Sequence, residues 1–181
     1  NVARAVTFLG GKATAIFPIG GATGEHLAAL LADEQVPIET VETRDWTRQN
    51  LHVHVAASGE QYRFVMPGAA LTDDEFRRLE EKVLTIDPGS LLVISGSLPP
   101  GISVENLMQL VKNAQQQGLR CIIDSSGDAL AAALDVGNIE LVKPNQKELS
   151  ALVQRDLSQP DDVRLAAQSL IQSGKVRRVV V

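Results

Sequence analysis

The sequence predicts an α/β protein with a doubly wound, mostly parallel sheet. Short apolar runs alternate with amphipathic helical stretches along its length, and several runs are apolar almost throughout, as strands covered on both faces are. A third observation agrees: Gly118 and Gly174 end helical stretches, and a new apolar run begins within a few residues of each, the short connection such a winding needs.

Taken in order, Asn1 to Leu9 reads as helix, Thr14 to Phe17 as strand, Glu25 to Leu31 as helix and Val36 to Ile38 as strand. The pattern then breaks. Asn50 to Ala56 alternates through Leu51, Val53 and Val55, Ser58-Gly59-Glu60 reads as a turn, and Gln61 to Met66 returns, which is a β-hairpin. Residues 39–66 thus form an insertion in the winding: a lid, an extension of the sheet or a dimer surface. His52 and His54 share one face of it at a spacing that suits a metal, but no third ligand lies nearby, so packing or surface roles are the better reading.

Beyond the hairpin, Thr72-Asp73-Asp74-Glu75 fits a capping box, and Ser103 and Ser158 are placed to cap helices running toward Leu110 and Leu170. Strands are expected at Leu91 to Ile94, Cys121 to Ile123, Ile139 to Val142 and Arg177 to Val181. No long-period repeat is evident, and residues 1–181 read as part of a single domain. Because the chain starts inside a helix and stops inside a strand, it is expected to be an excerpt of a larger protein.

Composition narrows the function. The net charge of −5 and an aromatic content of 3% argue against a nucleic-acid binder, which needs basic stripes and stacking platforms. No apolar run approaches the roughly 20 residues of a membrane span, so no membrane partner is expected, and no secretory signal is visible. The single cysteine, Cys121, cannot form an internal disulfide; it reads as a core residue and suits a reducing cytoplasm.

In open parallel sheets, ligands bind beyond the carboxyl ends of strands. The residues found there are Gly20-Gly21, Ser95-Gly96-Ser97, Asp124-Ser125-Ser126-Gly127 and Lys143-Pro144-Asn145. Together they offer exposed N–H groups, hydroxyls, lysines and acids, a chemistry that favours phosphate and a cation. Each has a plain alternative: Gly20, Gly21 and Gly24 as a tight turn, Ser97 to Gly101 as a rigid loop, Asp124 as a helix cap. The junction from Leu141 to Glu148 is the most informative. Pro144 fits a first helical turn, and Asn145 and Glu148, three apart, present an amide and a carboxylate oxygen to magnesium or its waters, with Lys143 and Lys147 adding positive charge. A plain helix start is the alternative. Neither G-x-x-x-x-G-K-[ST] nor G-x-G-x-x-G occurs at the glycine cluster, which removes a P-loop and leaves a dinucleotide-binding module as a weak rival.

Four stretches carry a family resemblance: Asn50 to Val55, Val65 to Ala70, Ile94 to Gly101 and Val142 to Leu149. With them the whole chain resembles the middle of a PfkB-type, ribokinase-like carbohydrate kinase. Asn1, Ala3, Gly10 and Gly20 match the part of the family's first signature present here, while the preceding glycine-rich run and the later signature with the catalytic aspartate and anion hole are expected outside the chain.

The resemblance implies a three-layer ribokinase-like fold, cytoplasmic and homodimeric, that transfers the γ-phosphoryl group of ATP with Mg2+ to the 1-hydroxyl of fructose 6-phosphate. By the same resemblance Asn1 and Ser97 contact the sugar phosphate and Arg48 clamps its phosphate; Arg63 and, after it, Arg44 lie in the same hairpin region and are placed to assist. Lys143 contacts ATP, Lys147 a second ATP or the one bound in a neighbouring subunit, Asn145 and Glu148 act on magnesium and the nucleotide, and Asp124 holds a water or the cation. No catalytic base is expected within the chain, so the segment alone is expected to be inactive. A tagatose-6-phosphate kinase or 1-phosphofructokinase is the near rival, and a noncatalytic nucleotide-binding module the distant one.

Overall fold

The computed structural model describes residues 1–181, which fall into two compact units: Asn1–Lys82 with Pro99–Ile102, and Val83–Leu98 with Ser103–Val181. The first carries α1 (Val2–Phe8), β1 (Ala15–Ile19), α2 (Gly21–Asp33), β2 (Ile38–Glu42), β3 (Leu51–His54), β4 (Gln61–Phe64) and most of α3 (Asp73–Val83). The second carries β5 (Leu91–Ser95), α4 (Val104–Gln116), β6 (Arg120–Asp124), α5 (Gly127–Val136), β7 (Leu141–Val142), α6 (Gln146–Val153) and α7 (Pro160–Gln172). No helix is long and apolar enough to cross a membrane.

The α/β winding follows the alternation in the sequence. β1 and β2 pair in parallel, and β5, β6 and β7 form a parallel sheet in that order. β3 and β4 pair antiparallel, with His52 opposite Arg63, so the hairpin is present as read. All eight of its strand residues are exposed, including the apolar pairs Leu51 with Phe64 and Val53 with Tyr62. His52 and His54 gain no metal partners, since no group of three or more His, Cys, Asp or Glu side chains forms anywhere in the chain.

Burial explains why the middles of the second unit's strands are apolar, with Ser95, Arg120 and Asp124 standing at their ends. Cys121 and Ile123 of β6, Val142 of β7, and Val111, Ala114 and Ala133 of the covering helices are inaccessible to solvent. Burying a side chain of Val or Ile size contributes about 1.5–3 kcal/mol, which favours the strands over any exposed arrangement. Leu149, Leu157 and Ala166 form a smaller cluster under α6 and α7.

Several boundaries differ from the sequence reading. Pro144 does not open α6: Asn145 is the N-cap, so Pro144 stands one residue before it and is fully buried. Its fixed φ still prevents the strand from running on, and it occupies the position from which an apolar residue staples to the buried Leu149. Ser158 is not a cap, because Pro160 takes the first position of α7 and makes Gln159 the N-cap. Thr72 and Ser103 do cap as expected, each accepting from an N–H three residues on, that of Glu75 at 3.2 Å and that of Asn106 at 3.3 Å. The run from Arg177 to Val181 forms no continuous strand: isolated bridges join Val179 to Val142 and, just before the run, Val176 to Ile139.

Candidate functional site

The parallel register places Ser95, at the end of β5, beside Asp124, at the end of β6, and Ile123 beside Val142 of β7. Three strand ends of the second unit therefore finish at one level. Gly96 leaves β5 with φ +98°, a conformation that favours glycine, and its N–H donates to the Asp124 carbonyl at 2.9 Å. The Ser125 hydroxyl donates to the Gly96 carbonyl at 2.8 Å and so ties the two loops together.

Over these ends lies a cavity of about 210 Å³. Asp124, Lys143, Asn145 and Glu148 line it with Gly96, Ser97, Ser125 and Ser126. The Lys143 ammonium lies 3.2 Å from one Asp124 oxygen, and the Ser95 hydroxyl donates to the other at 3.4 Å. With Lys143 58% and Asp124 34% exposed, water screens this pair, so it orients the lysine more than it stabilises the fold. Asp124 does not cap α5; Ser126 holds that position, without a side-chain bond.

Asn145 and Glu148 answer both readings of their spacing. The Asn145 Oδ1 accepts the Glu148 N–H at 2.9 Å, and the Glu148 Oε2 accepts the Asn145 N–H at 2.8 Å, a complete capping box. Both side chains also line the cavity, where Glu148 Oε1 has no hydrogen bond to the protein. The N-termini of α5 and α6 begin at its rim, so the macrodipoles add partial positive charge to that of Lys143.

Other anticipated residues lie elsewhere. Lys147 is exposed and does not line the cavity. Asn1, Arg48 and Arg63 belong to the first unit and are exposed. Asn1 borders a separate cavity there with Arg4 and Glu34. Arg48 lies beside Gly68, its Cδ and Nη1 both 3.9 Å from where a β-carbon on that glycine would stand.

Gly20 and Gly21 also belong to the first unit, and the structure gives them a packing role. A β-carbon on Gly20 would stand 1.9 Å from the Asp45 carbonyl oxygen, and one on Gly21 2.5 Å from the Trp46 ring. The Gly20 N–H is already bonded to Thr47 Oγ1 at 3.0 Å. These glycines admit the segment after β2, and the Gly20 amide is committed to it. Sequence reading gave no role to Ser125 and Ser126; they were legible only as part of a small-residue cluster after a strand.

A strand-end site with a lysine, acids and helix N-termini defines a class, α/β proteins that receive anionic ligands beyond their parallel strands. Within that class the chain belongs to the pfkB family of carbohydrate kinases, whose pattern it matches over residues 1–181. It is 74% identical over its whole length to the ATP-dependent 6-phosphofructokinase isozyme 2 of Escherichia coli (strain K12), of which it spans 59%. The crystal structure of phosphofructokinase-2 from Escherichia coli in complex with fructose-6-phosphate aligns with 98% of this chain and 59% of its own, at a TM-score of 0.95. A D-tagatose-1-phosphate kinase of Klebsiella oxytoca is 30% identical over 155 residues, 86% of this chain and 50% of its own length.

Proposed function

We propose that the full-length protein transfers the γ-phosphoryl group of ATP to the 1-hydroxyl of fructose 6-phosphate, yielding fructose 1,6-bisphosphate. The observation that carries this reading is the 74% identity to a 6-phosphofructokinase across every residue of the chain. It is supported by the strand-end cavity, whose Lys143, Asp124, Asn145 and Glu148 suit a nucleotide's phosphates.

In this reading Lys143, held by Asp124, neutralises phosphate charge, and the N-termini of α5 and α6 receive phosphate oxygens. Asp124, Glu148 and Asn145 would hold Mg2+. Two carboxylates and an amide cannot enclose an ion, but Mg2+ is usually held by one or two carboxylates together with water and substrate phosphates, so the donor set fits. Bound there, the ion supplies charge neutralisation at the transferring phosphoryl group. Asn1, Ser97 and Arg48 bind the sugar phosphate with help from Arg63; Arg48 grips its phosphate through the paired bonds a guanidinium makes. Lys147 contacts a second nucleotide. These residues position and neutralise, which is most of what phosphoryl transfer asks of a protein.

The hairpin within residues 39–66 serves as a lid or sheet extension, and its exposed Leu51, Val53, Tyr62 and Phe64 support contact with a second copy in a homodimer. The unpaired, buried Cys121 is in keeping with a reducing cytoplasm. The test is turnover of the purified full-length protein with ATP on fructose 6-phosphate, fructose 1-phosphate and tagatose 6-phosphate. A preference for fructose 6-phosphate is expected, and a preference for either other sugar would replace this assignment with that of a sister kinase.

A further inference from the structure

Glu75 is 5% exposed and has no part in the function proposed so far. Its Oε2 accepts the Thr72 N–H at 2.7 Å and the Thr72 hydroxyl at 2.9 Å, closing the capping box of α3. Helix capping requires nothing more. Yet its Oε1 accepts the Arg44 N–H at 2.7 Å, from a residue 31 positions earlier. Arg44 lies just beyond β2 and Thr72 just before α3, so one carboxylate joins the two stems from which the hairpin insertion leaves and returns.

The first stem is held from two helices. On the α3 side, Arg78 Nη2 donates to the Glu42 carbonyl at 3.1 Å. On the α2 side, the Thr47 N–H donates to the Gly20 carbonyl at 2.9 Å and the Thr23 hydroxyl to the Thr47 carbonyl at 2.6 Å. Arg48 is the next residue. Its backbone therefore starts from a segment whose place depends on Glu75 at one end and on the α2 glycines at the other.

We propose that Glu75 is a positioning residue for sugar-phosphate binding: by joining Arg44 to Thr72 it fixes the root of residues 44–72 and thereby the place from which Arg48 reaches the phosphate. This rests on the reading of Arg48 as the phosphate clamp. The carboxylate form matters because both oxygens accept. A glutamine has one accepting oxygen, and its amide would meet an N–H it cannot bond. Glu75→Gln can keep the capping box, since glutamine serves in one, but must then release Arg44.

The experiment measures KM for fructose 6-phosphate and for ATP in the full-length protein carrying Glu75→Gln, Arg48→Ala or both, with Thr72→Val as a comparison that loses only the hydroxyl. Glu75→Gln is expected to raise the sugar-phosphate KM about tenfold and the ATP KM less than about twofold, since displacing a binding group by about 1 Å can cost more than this. In the Arg48→Ala background the same substitution should add less than about twofold, the non-additivity of groups acting through one another. Thr72→Val should lower the melting temperature without raising the sugar-phosphate KM. Equal rises in both KM values, a full Glu75→Gln effect in the absence of Arg48, or an equal KM rise in Thr72→Val would overturn the positioning role while leaving the Arg48 clamp standing. An unchanged KM in Arg48→Ala would overturn the clamp, and the positioning role with it. Should Glu75→Gln fold poorly, Glu75→Asp, too short to reach both stems, is expected to shift the sugar-phosphate KM in the same direction, and an unshifted value would count against the proposal.

Discussion

Glu148→Gln separates two tasks that one pair of side chains performs. Asn145 and Glu148 cap α6 through bonds of 2.9 and 2.8 Å, and the same residues line the cavity proposed to hold magnesium and nucleotide. Glutamine completes a capping box as glutamate does, so the exchange keeps both bonds and removes only the charge. An anion in the first turn of a helix is worth about 0.3–1 kcal/mol, which bounds the loss of stability. Asn145→Ala removes the cap itself, at about 0.5–2 kcal/mol, and in a chain of this size each kcal/mol lowers the melting temperature by about 2–4 °C. At the cation the order reverses. Losing one of two carboxylates is expected to raise the magnesium concentration for half-maximal turnover about tenfold or more, equivalent to about 1.4 kcal/mol. Thermal melts of the full-length protein and its turnover titrated with free Mg2+ at fixed ATP read the two effects separately. A magnesium requirement within about twofold of the parent's, or a melting loss as large as that of Asn145→Ala, would refute the division of labour.

Further expectations rest on other contacts. Gly20→Ala places a β-carbon 1.9 Å from the Asp45 carbonyl, so chemical denaturation should show a loss of about 1–3 kcal/mol, and unchanged stability would mean the segment after β2 moves freely. Arg48→Ala should raise the KM for fructose 6-phosphate roughly 10- to 100-fold and that for ATP much less, from the loss of charge-assisted bonds. The N–H groups of Thr72 and Arg44 hold the Glu75 carboxyl below its ordinary 4.5 in the folded state. Its stabilising effect is thus present above that ordinary value and lost as pH falls through the lowered one, so Glu75→Gln should show a shallower fall in melting temperature below about pH 4.5 than the parent; parallel curves would contradict this. Burial pushes the Cys121 thiol up to about 11, so alkylation followed by mass spectrometry should label it only on unfolding; labelling of the native protein at a free-thiol rate would show the core to be open.

Local chemistry made much of the fold legible. Thr72 and Ser103 cap as their side chains dictate, Gly118 and Gly174 take positive φ as chain reversals need, and the alternation through Leu51, Val53 and Val55 gives the hairpin. Misreadings came where two local signals competed. Ser158 and Pro160 both mark a helix start, and the proline's fixed ring decided it. Pro144 and Asn145 both suit the start of α6, and Asn145, as the cap, leaves Pro144 one residue outside the helix. Gly20 and Gly21 have the composition of an anion cradle, and only long-range packing against Asp45, Trp46 and Thr47 assigns them another use.

The sequence alone determined most strand and helix limits, the caps at Thr72 and Ser103, and the pfkB family, because each depends on neighbours within a few positions or on motifs read in a line. Tertiary structure decided what those residues meet. Asp124 and Lys143 are 19 positions apart and form an ion pair because parallel register brings β6 and β7 to the same level. Glu75 reaches Arg44 across 31 positions because the chain returns beside itself after the hairpin. Distance along the chain carries no information about such meetings; they follow from burial and register, which act on the whole fold at once.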